Sequence, residues 1–210
     1  MYKTFVKRFL DIVLSLYGII FLSPIFLVII IAIKVSDPGP VIFKQKRIGK
    51  NKKQFNIWKF RSMKMSTPHD TPTHMLSNPE QYITKVGKFL RKTSLDELPQ
   101  IFNILAGQMS IIGPRPALWN QYDLIEERDK YGANDILPGL TGWAQINGRD
   151  MIEIANKAGY DGEYIANLSF EMDWKCFWRT VMAVLKRDGF VEGGIGELEK
   201  KEAEKEDLGK

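Results

Sequence analysis

The chain reads as an α+β protein, mainly helical: a compact domain with a small β-hairpin, preceded by an N-terminal re-entrant membrane helix-hairpin. Three observations predict this. One long apolar run lies near the N-terminus, two short alternating segments flank a Gly-containing turn just after it, and helical periodicity runs through much of the remainder. With 210 residues, 44% of them hydrophobic and 26% charged, the composition is that of a globular domain with appendages and not of a disordered chain. One Cys excludes an internal disulfide framework, and with two His it leaves too few soft ligands for a Cys/His zinc site. Charge is unevenly placed. Residues 1–64 carry 13 Lys and Arg against 2 Asp and Glu, and the rest is net acidic.

Residues 9–33 are apolar except for Asp11, Ser15 and Ser23. The run is long enough for a span, which takes about 20 residues, and too long for a signal-peptide core. Pro24 should break or kink a helix there. Lys3, Lys7 and Arg8 precede the run, and Lys34, Lys44, Lys46 and Arg47 follow it, so both flanks favour the cytoplasmic side. At 1.5 Å per residue the two halves reach about 21 and 15 Å, short of a core of about 30 Å. These features predict a hairpin that enters one leaflet and returns, with a kinked single span as the alternative.

The remaining elements follow in order. Asp37-Pro38-Gly39-Pro40 ends the membrane element. Residues 41–47 and 53–60 alternate like strands around Gly49-Lys50-Asn51, a hairpin signal. Residues 66–81 read as a loop, 82–92 as a short basic helix, and 94–106 and 117–131 as further helices. The Gly- and Pro-rich stretch 132–150 reads as a long ordered loop of the kind that binds ligands. From Phe170 to Leu185 an apolar stripe at helical spacing carries Trp174, Phe177 and Trp178. That helix either lies in a membrane interface or packs on the protein's own core. The charged end 191–210 reads as a disordered tail or a solvated helix.

Three constellations carry candidate chemistry. Ser94 and Glu97 have capping-box spacing, which places Asp96 in a first helical turn where an anion is favoured, with Arg91 upstream as a phosphate ligand. An ionised Asp beside a neutralised pyrophosphate is a nucleophile; the plainer alternative is an ordinary helix cap. Gly113-Pro114-Arg115-Pro116 fixes one guanidinium between two prolines, suited to phosphate. In the stretch 138–149 three Gly allow close approach to a ligand, and Trp143, Gln145, Asn147 and Arg149 offer contacts. His69 and His74 are weak metal candidates, and Cys176 reads as a small buried apolar residue.

Taken together, Lys7 and Arg8 before the apolar helix, Ser23-Pro24, Lys59-Phe60-Arg61-Ser62-Met63, the stretch from Ser94 to Gln100, Gly113-Pro114-Arg115-Pro116 and the stretch 138–149 occur in one family's order. The sequence resembles the small monotopic phosphoglycosyl transferases, the bacterial sugar transferase family, over about residues 1–190. The resemblance implies transfer of a sugar-1-phosphate from a UDP-sugar to undecaprenyl phosphate with release of UMP, through a covalent aspartyl-phosphosugar. Asp96 would be nucleophile and Mg2+ ligand, and Glu97 its catalytic neighbour. Arg91, Arg115, Lys59 and Arg149 would bind substrate phosphate; Lys7, Arg8, Ser23 and Pro24 belong to the membrane element. Its division of the chain is a re-entrant helix over 1–36, a cytoplasmic catalytic domain with interfacial helices over 37–190, and a charged tail over 191–210. The implied place is the cytoplasmic face of the bacterial inner membrane, at the first membrane step of exopolysaccharide or other glycoconjugate biosynthesis. Implied partners are UDP-sugar, undecaprenyl phosphate and membrane lipid, with homodimerisation left open and no nucleic acid. Nothing in 138–149 selects an N-acetyl group over a hydroxyl; the resemblance leans to an N-acetylated hexosamine. Two rivals stand beside this: a catalytically silent membrane scaffold of the same fold, and a nucleic-acid binder using the basic aromatic segment 44–64, against which the apolar run speaks.

Overall fold

The computed structural model describes residues 2–67, 79–148 and 153–186. His69, His74, Arg149 and the tail 191–210 lie outside them. A π-helical turn, Tyr2–Val6, leads into α1, Lys7–Ser36, a single helix of 30 residues with Pro24 inside it. The expected helix-hairpin split at Ser23-Pro24 is thus corrected to one helix, and the reason is local. Pro24 has no N–H for the carbonyl of Ile20, four residues back. The Ser23 hydroxyl donates to that carbonyl at 2.8 Å. The serine supplies the donor that the proline removes, so the turn closes without leaving a bare carbonyl among apolar side chains.

By length and composition α1 is able to cross a membrane, and only 11% of its most apolar window is buried in the protein. Its inward stripe nevertheless touches the globular body along its length. Asp11 accepts hydrogen bonds from the Ile111 N–H and the Ser110 hydroxyl, and Phe26 meets Phe60 and Phe102. Ile29 and Ile33 join Phe60 and Leu90 in one core cluster. Both flanks of α1 are anchored as well. Tyr2 and Lys7 donate to Asp173 at 2.6 Å each, and Arg61 pairs with Asp37 at 2.8 Å. Lys7 and Arg8, expected as topology charges, are therefore also structural: Arg8 caps the Ile104 and Leu105 carbonyls.

The predicted hairpin is present. Strands β1, Ile42–Ile48, and β2, Gln54–Phe60, pair antiparallel from Ile42 opposite Phe60 to Ile48 opposite Gln54. Helix α2, Lys85–Lys92, is capped by the Thr84 hydroxyl on the Gly87 N–H. Gly87 is required by contact: a Cβ there would lie 1.8 Å from the Ser62 carbonyl oxygen. The expected helix over 94–106 is a 3-10 turn, Leu95–Glu97, followed by α3, Gln100–Leu105, because Pro99 interrupts the hydrogen bonding between them. The helix expected over 117–131 is shorter, α4 at Tyr122–Asp129.

The stretch 132–150 is more regular than a loop. It contains β4, Gly139–Thr141, parallel to β3, Ser110–Ile112, and a short helix α5, Trp143–Ile146. Three-residue strands give too few alternations to be visible as a pattern. Helices α6, Ile154–Ala166, and α7, Phe170–Lys186, complete the fold. Tyr164, Met172, Cys176, Ile112 and Trp143 form the core beneath them. On α7 the aromatic stripe faces outward: Phe170, Trp174, Phe177 and Trp178 are exposed and contact one another edge-to-face or stacked. Met172, Asp173 and Cys176 face inward.

Candidate active site

The site forms where β2, the turn Leu95–Glu97 and the segment 113–116 converge. Asn103 sets the first contact. In a two-stranded sheet the outer edge of β2 has unpaired backbone groups. Asn103, buried on α3, accepts from the Trp58 N–H at 2.9 Å and donates to the Asn56 carbonyl at 2.8 Å. One amide side chain thereby occupies the strand edge and fixes α3, with the turn before it, against Lys59.

Lys59 and Arg115 both reach Glu97. Lys59 Nζ donates to Oε1 at 2.7 Å, and Arg115 engages Oε1 at 2.7 Å and Oε2 at 3.4 Å. Burial alone would raise the Glu97 pKa, but the charges and hydrogen bonds of Arg115 and Lys59 hold it below the usual carboxylate range. The capping-box reading is corrected here. Ser94 adopts a left-handed conformation (φ 56°) and makes no side-chain cap, because Glu97 is directed to the two cations instead. Arg115, expected as a fixed guanidinium for phosphate, has its fork on Glu97.

Asp96 is the contrasting carboxylate. It is 8% exposed, and no described residue donates a hydrogen bond to it. Burial pushes its pKa up to about 6; Lys59, Arg91 and Arg115 oppose that shift while Glu97 adds to it. The expected helix N-terminus is corrected to a 3-10 turn, where desolvation raises the Asp96 pKa without abolishing the expected ionised form. At pH 7 and above it is still mostly the carboxylate. Arg91 lies on the same side and donates Nε–H to the Ser62 hydroxyl at 3.0 Å. The run Lys59 to Ser62 therefore serves the site through its two ends and the scaffold through its middle: Lys59 binds Glu97, Phe60 enters the core, Arg61 holds Asp37, and Ser62 orients Arg91.

The third constellation plays another part. Gly113 donates to the Thr141 carbonyl and Gly139 to the Pro114 carbonyl, so 138–142 is laced to the segment bearing Arg115. A Cβ on Gly139 would lie 2.1 Å from the Gly113 nitrogen, and one on Gly142 2.0 Å from its oxygen. These glycines admit backbone, where a ligand was expected. Trp143, Gln145 and Asn147 are likewise internal. Trp143 donates to Glu163 and carries Lys175 and Arg179 over its ring, Gln145 donates to the Leu140 carbonyl, and Asn147 to that of Trp143. Cys176 is fully buried, and burial pushes its thiol up to about 12, as expected of a packed residue. Asn103 and Ser62 were missed as site residues: an Asn inside a helix has no sequence signal, whereas Ser62 sat within a motif already noted.

Among the described residues no group of three or more His, Cys, Asp or Glu side chains converges.

Comparison with known proteins places these residues in a wider group. A family model described as bacterial sugar transferase matches residues 2–187. The chain is 44% identical over 183 residues to the UDP-glucose:undecaprenyl-phosphate glucose-1-phosphate transferase of Escherichia coli strain K12, covering 83% of this chain and 39% of that protein. It is 37% identical over 190 residues to the Aeromonas hydrophila UDP-N-acetylgalactosamine-undecaprenyl-phosphate N-acetylgalactosaminephosphotransferase, covering 86% of this chain and 44% of the relative. Exopolysaccharide production protein ExoY of Sinorhizobium fredii is 35% identical over 192 residues, with 85% and 84% covered. The chain thus spans about two fifths of the length of the Escherichia coli relative and most of the length of ExoY.

Proposed function

This chain belongs to the bacterial sugar transferase family, and from that premise we propose that it moves a sugar-1-phosphate from a UDP-sugar to undecaprenyl phosphate through a covalent intermediate on Asp96. The observation that carries the reading is the Asp96 carboxylate: nearly buried, without a hydrogen-bond donor among the described residues, and beside Lys59, Arg91 and Arg115. A carboxylate that accepts no hydrogen bond from the described residues keeps its lone pairs for attack. Glu97 has the opposite role. It takes up Lys59 and Arg115 and fixes them next to Asp96.

In the first step an Asp96 oxygen attacks the β-phosphorus, the bond from that phosphorus to the bridging oxygen breaks, and UMP leaves with the electron pair. In the second, a phosphate oxygen of the lipid attacks the same phosphorus and the Asp96 carboxylate is released. Bound Mg2+ would supply charge neutralisation on the diphosphate oxygens, with Asp96 as its protein ligand. Lys59, Arg91 and Arg115 are fixed donors toward charge that shifts during transfer. UDP-glucose, the donor in the name of the Escherichia coli relative, replaces an N-acetylhexosamine nucleotide as the first donor to test.

A monotopic placement on the cytoplasmic face of the inner membrane is supported by the anchoring of both α1 flanks to one globular body, through Asp173 and through Arg61. A helix crossing the bilayer would carry its ends to opposite faces. The outward aromatic stripe of α7 favours an interfacial position. The reading implies an initiating role in surface-glycan assembly.

The test is covalent trapping. Incubation with UDP-glucose and Mg2+, without lipid, should give a hexose-phosphate adduct within residues 94–100, absent from Asp96→Asn and discharged by undecaprenyl phosphate. Release of UMP only when lipid is present, with no adduct, would replace the covalent scheme by direct transfer. No turnover of any UDP-sugar would leave the silent scaffold.

A further inference from the structure

Helix α7 turns its aromatics outward, yet Thr180 on it reaches the strand beside the site. Thr141, at the end of β4, is buried, and its hydroxyl lies 2.7 Å from that of Thr180. The direction of this bond is fixed. Each hydroxyl has one hydrogen, and that of Thr180 goes to the Cys176 carbonyl at 2.8 Å, so Thr141 donates to Thr180. The backbone carbonyl of the same Thr141 accepts from the Gly113 N–H at 2.8 Å, and the Gly139 N–H donates to the Pro114 carbonyl at 2.9 Å. A two-stranded sheet is marginal by itself, and this one is tied from outside: β3 by Asp11 of α1, β4 by Thr180 of α7.

We propose that Thr180 is a positioning residue for Arg115, acting through Thr141 and Gly113. The inference rests on the sugar-phosphate transfer reading, in which Arg115 is a fixed donor, and it assigns a residue that the reading does not use. Chain stiffness supports it. Pro114 and Pro116 have locked φ angles and carry no N–H. The segment therefore has few torsions with which to absorb a displacement at Gly113, and passes it on to Arg115. Packing supports it too. A Cβ on Gly142 would lie 2.0 Å from the Gly113 oxygen and one on Gly139 2.1 Å from its nitrogen, so Gly113 moves with β4 as a unit. The fork itself tolerates little movement. One arm of Arg115 meets Glu97 at 2.7 Å, but the other spans 3.4 Å, past the usual range of roughly 2.7–3.2 Å. A small shift of β4 opens that arm first. Among the described residues the Thr180 hydroxyl is hydrogen-bonded to Thr141 and Cys176 and to neither carboxylate of the site, so its effect on turnover has to pass through β4.

The test separates positioning from folding. The full chain in phosphatidylglycerol nanodiscs is assayed with UDP-glucose and undecaprenyl phosphate. Thr180→Val should lower kcat about tenfold and leave both KM values within about twofold, because geometry at the reacting atoms is lost while substrate contacts are kept. Thr180→Ser, which keeps the hydroxyl, should recover most of the rate. In an Arg115→Lys background Thr180→Val should change kcat by less than about twofold, since the fork is already gone. An unchanged kcat in Thr180→Val overturns the proposal. So does the same loss in both backgrounds, which is how a general packing defect behaves. Should Thr180→Val fail to fold because the Thr141 hydroxyl is left buried and unpaired, Thr141→Val combined with Thr180→Val removes both groups; a normal kcat in that double variant also overturns it. A readout independent of turnover is the nitrogen NMR signal of the Arg115 guanidinium, identified by its loss in Arg115→Lys. It should move in Thr180→Val and return in Thr180→Ser; an unmoved signal overturns the proposal. A moved signal in a protein that turns over no UDP-sugar supports the link from Thr180 to Arg115 while defeating the transfer reading.

Discussion

Adjacent carboxylates at Asp96 and Glu97 are held in opposite states by their surroundings. Glu97 is paired with two cations, and Asp96 is desolvated without a hydrogen-bond partner among the described residues. An ionised carboxylate whose folded pKa is about 6, against an ordinary 3.8, is a cost to the fold. Asp96→Asn should therefore abolish turnover and yet stabilise the protein, by at most about 3 kcal/mol. The sign follows from proton binding: between the two pKa values the folded state holds more protons than the unfolded chain, so wild-type stability falls as pH rises there. The melting difference should be absent below about pH 4, grow up to about pH 6, and stay level above it. A variant less stable than wild type at pH 7.5 would overturn this. Turnover should rise with pH through about 6 as Asp96 ionises. At Glu97 the direction reverses. Glu97→Gln removes the charge that Lys59 and Arg115 share, and it should cost about 1–3 kcal/mol in chemical denaturation as well as most activity. Arg115→Lys keeps the charge but lacks the fork that reaches both Glu97 oxygens, so kcat should fall about 10²-fold; near-normal turnover would reduce Arg115 to general electrostatics.

Ser23 and Pro24 act as a pair within α1, the hydroxyl taking the hydrogen bond that the ring cannot make. That predicts non-additivity. Ser23→Ala alone should cost about 1–3 kcal/mol, because the Ile20 carbonyl is left bare in apolar surroundings. In a Pro24→Ala background the restored N–H serves that carbonyl, so the same serine substitution should cost far less. Equal costs in both backgrounds, measured by detergent unfolding, would mean that the hydroxyl bond contributes nothing. On α7 a helical period was legible, but the direction of its stripe was not. Its aromatics face out because Asp173, beside the stripe, is buried at the meeting point of Tyr2, Lys7 and Tyr164. Trp174→Ser with Trp178→Ser should weaken vesicle binding and leave thermal melting nearly unchanged. A large melting loss would show a core role instead.

Asp173 and Arg61 join the two ends of α1 to one body, and this has a consequence for topology. A single folded domain cannot lie on both sides of a bilayer. Cysteines placed at residues 2 and 40 should therefore both resist impermeant reagents applied outside intact cells and both react after permeabilisation. Labelling of residue 2 from outside would show a span. The basic flanks and the anionic cytoplasmic leaflet favour the same arrangement.

Much was present in the order of residues alone: the long apolar helix, the hairpin between Ile42 and Phe60, the helix from Phe170, and the Asp96-Glu97 pair with Arg91 just upstream. Each rests on local chemistry, whether hydrophobic period, turn residues, or charges close in sequence or in a contiguous motif. Packing settled what local chemistry leaves open. Glu97 binds cations 38 and 18 residues away in place of capping its own turn, and that choice follows from Asn103 docking α3 on the edge of β2. The glycines of 138–142 admit the Gly113 backbone because β3 and β4 pair in parallel across 26 intervening residues, a register that three-residue strands do not announce. Burial, too, is a property of the assembled body, so the raised Asp96 pKa came from the fold: desolvation depends on which segments close around a side chain, and neighbours in sequence do not specify them.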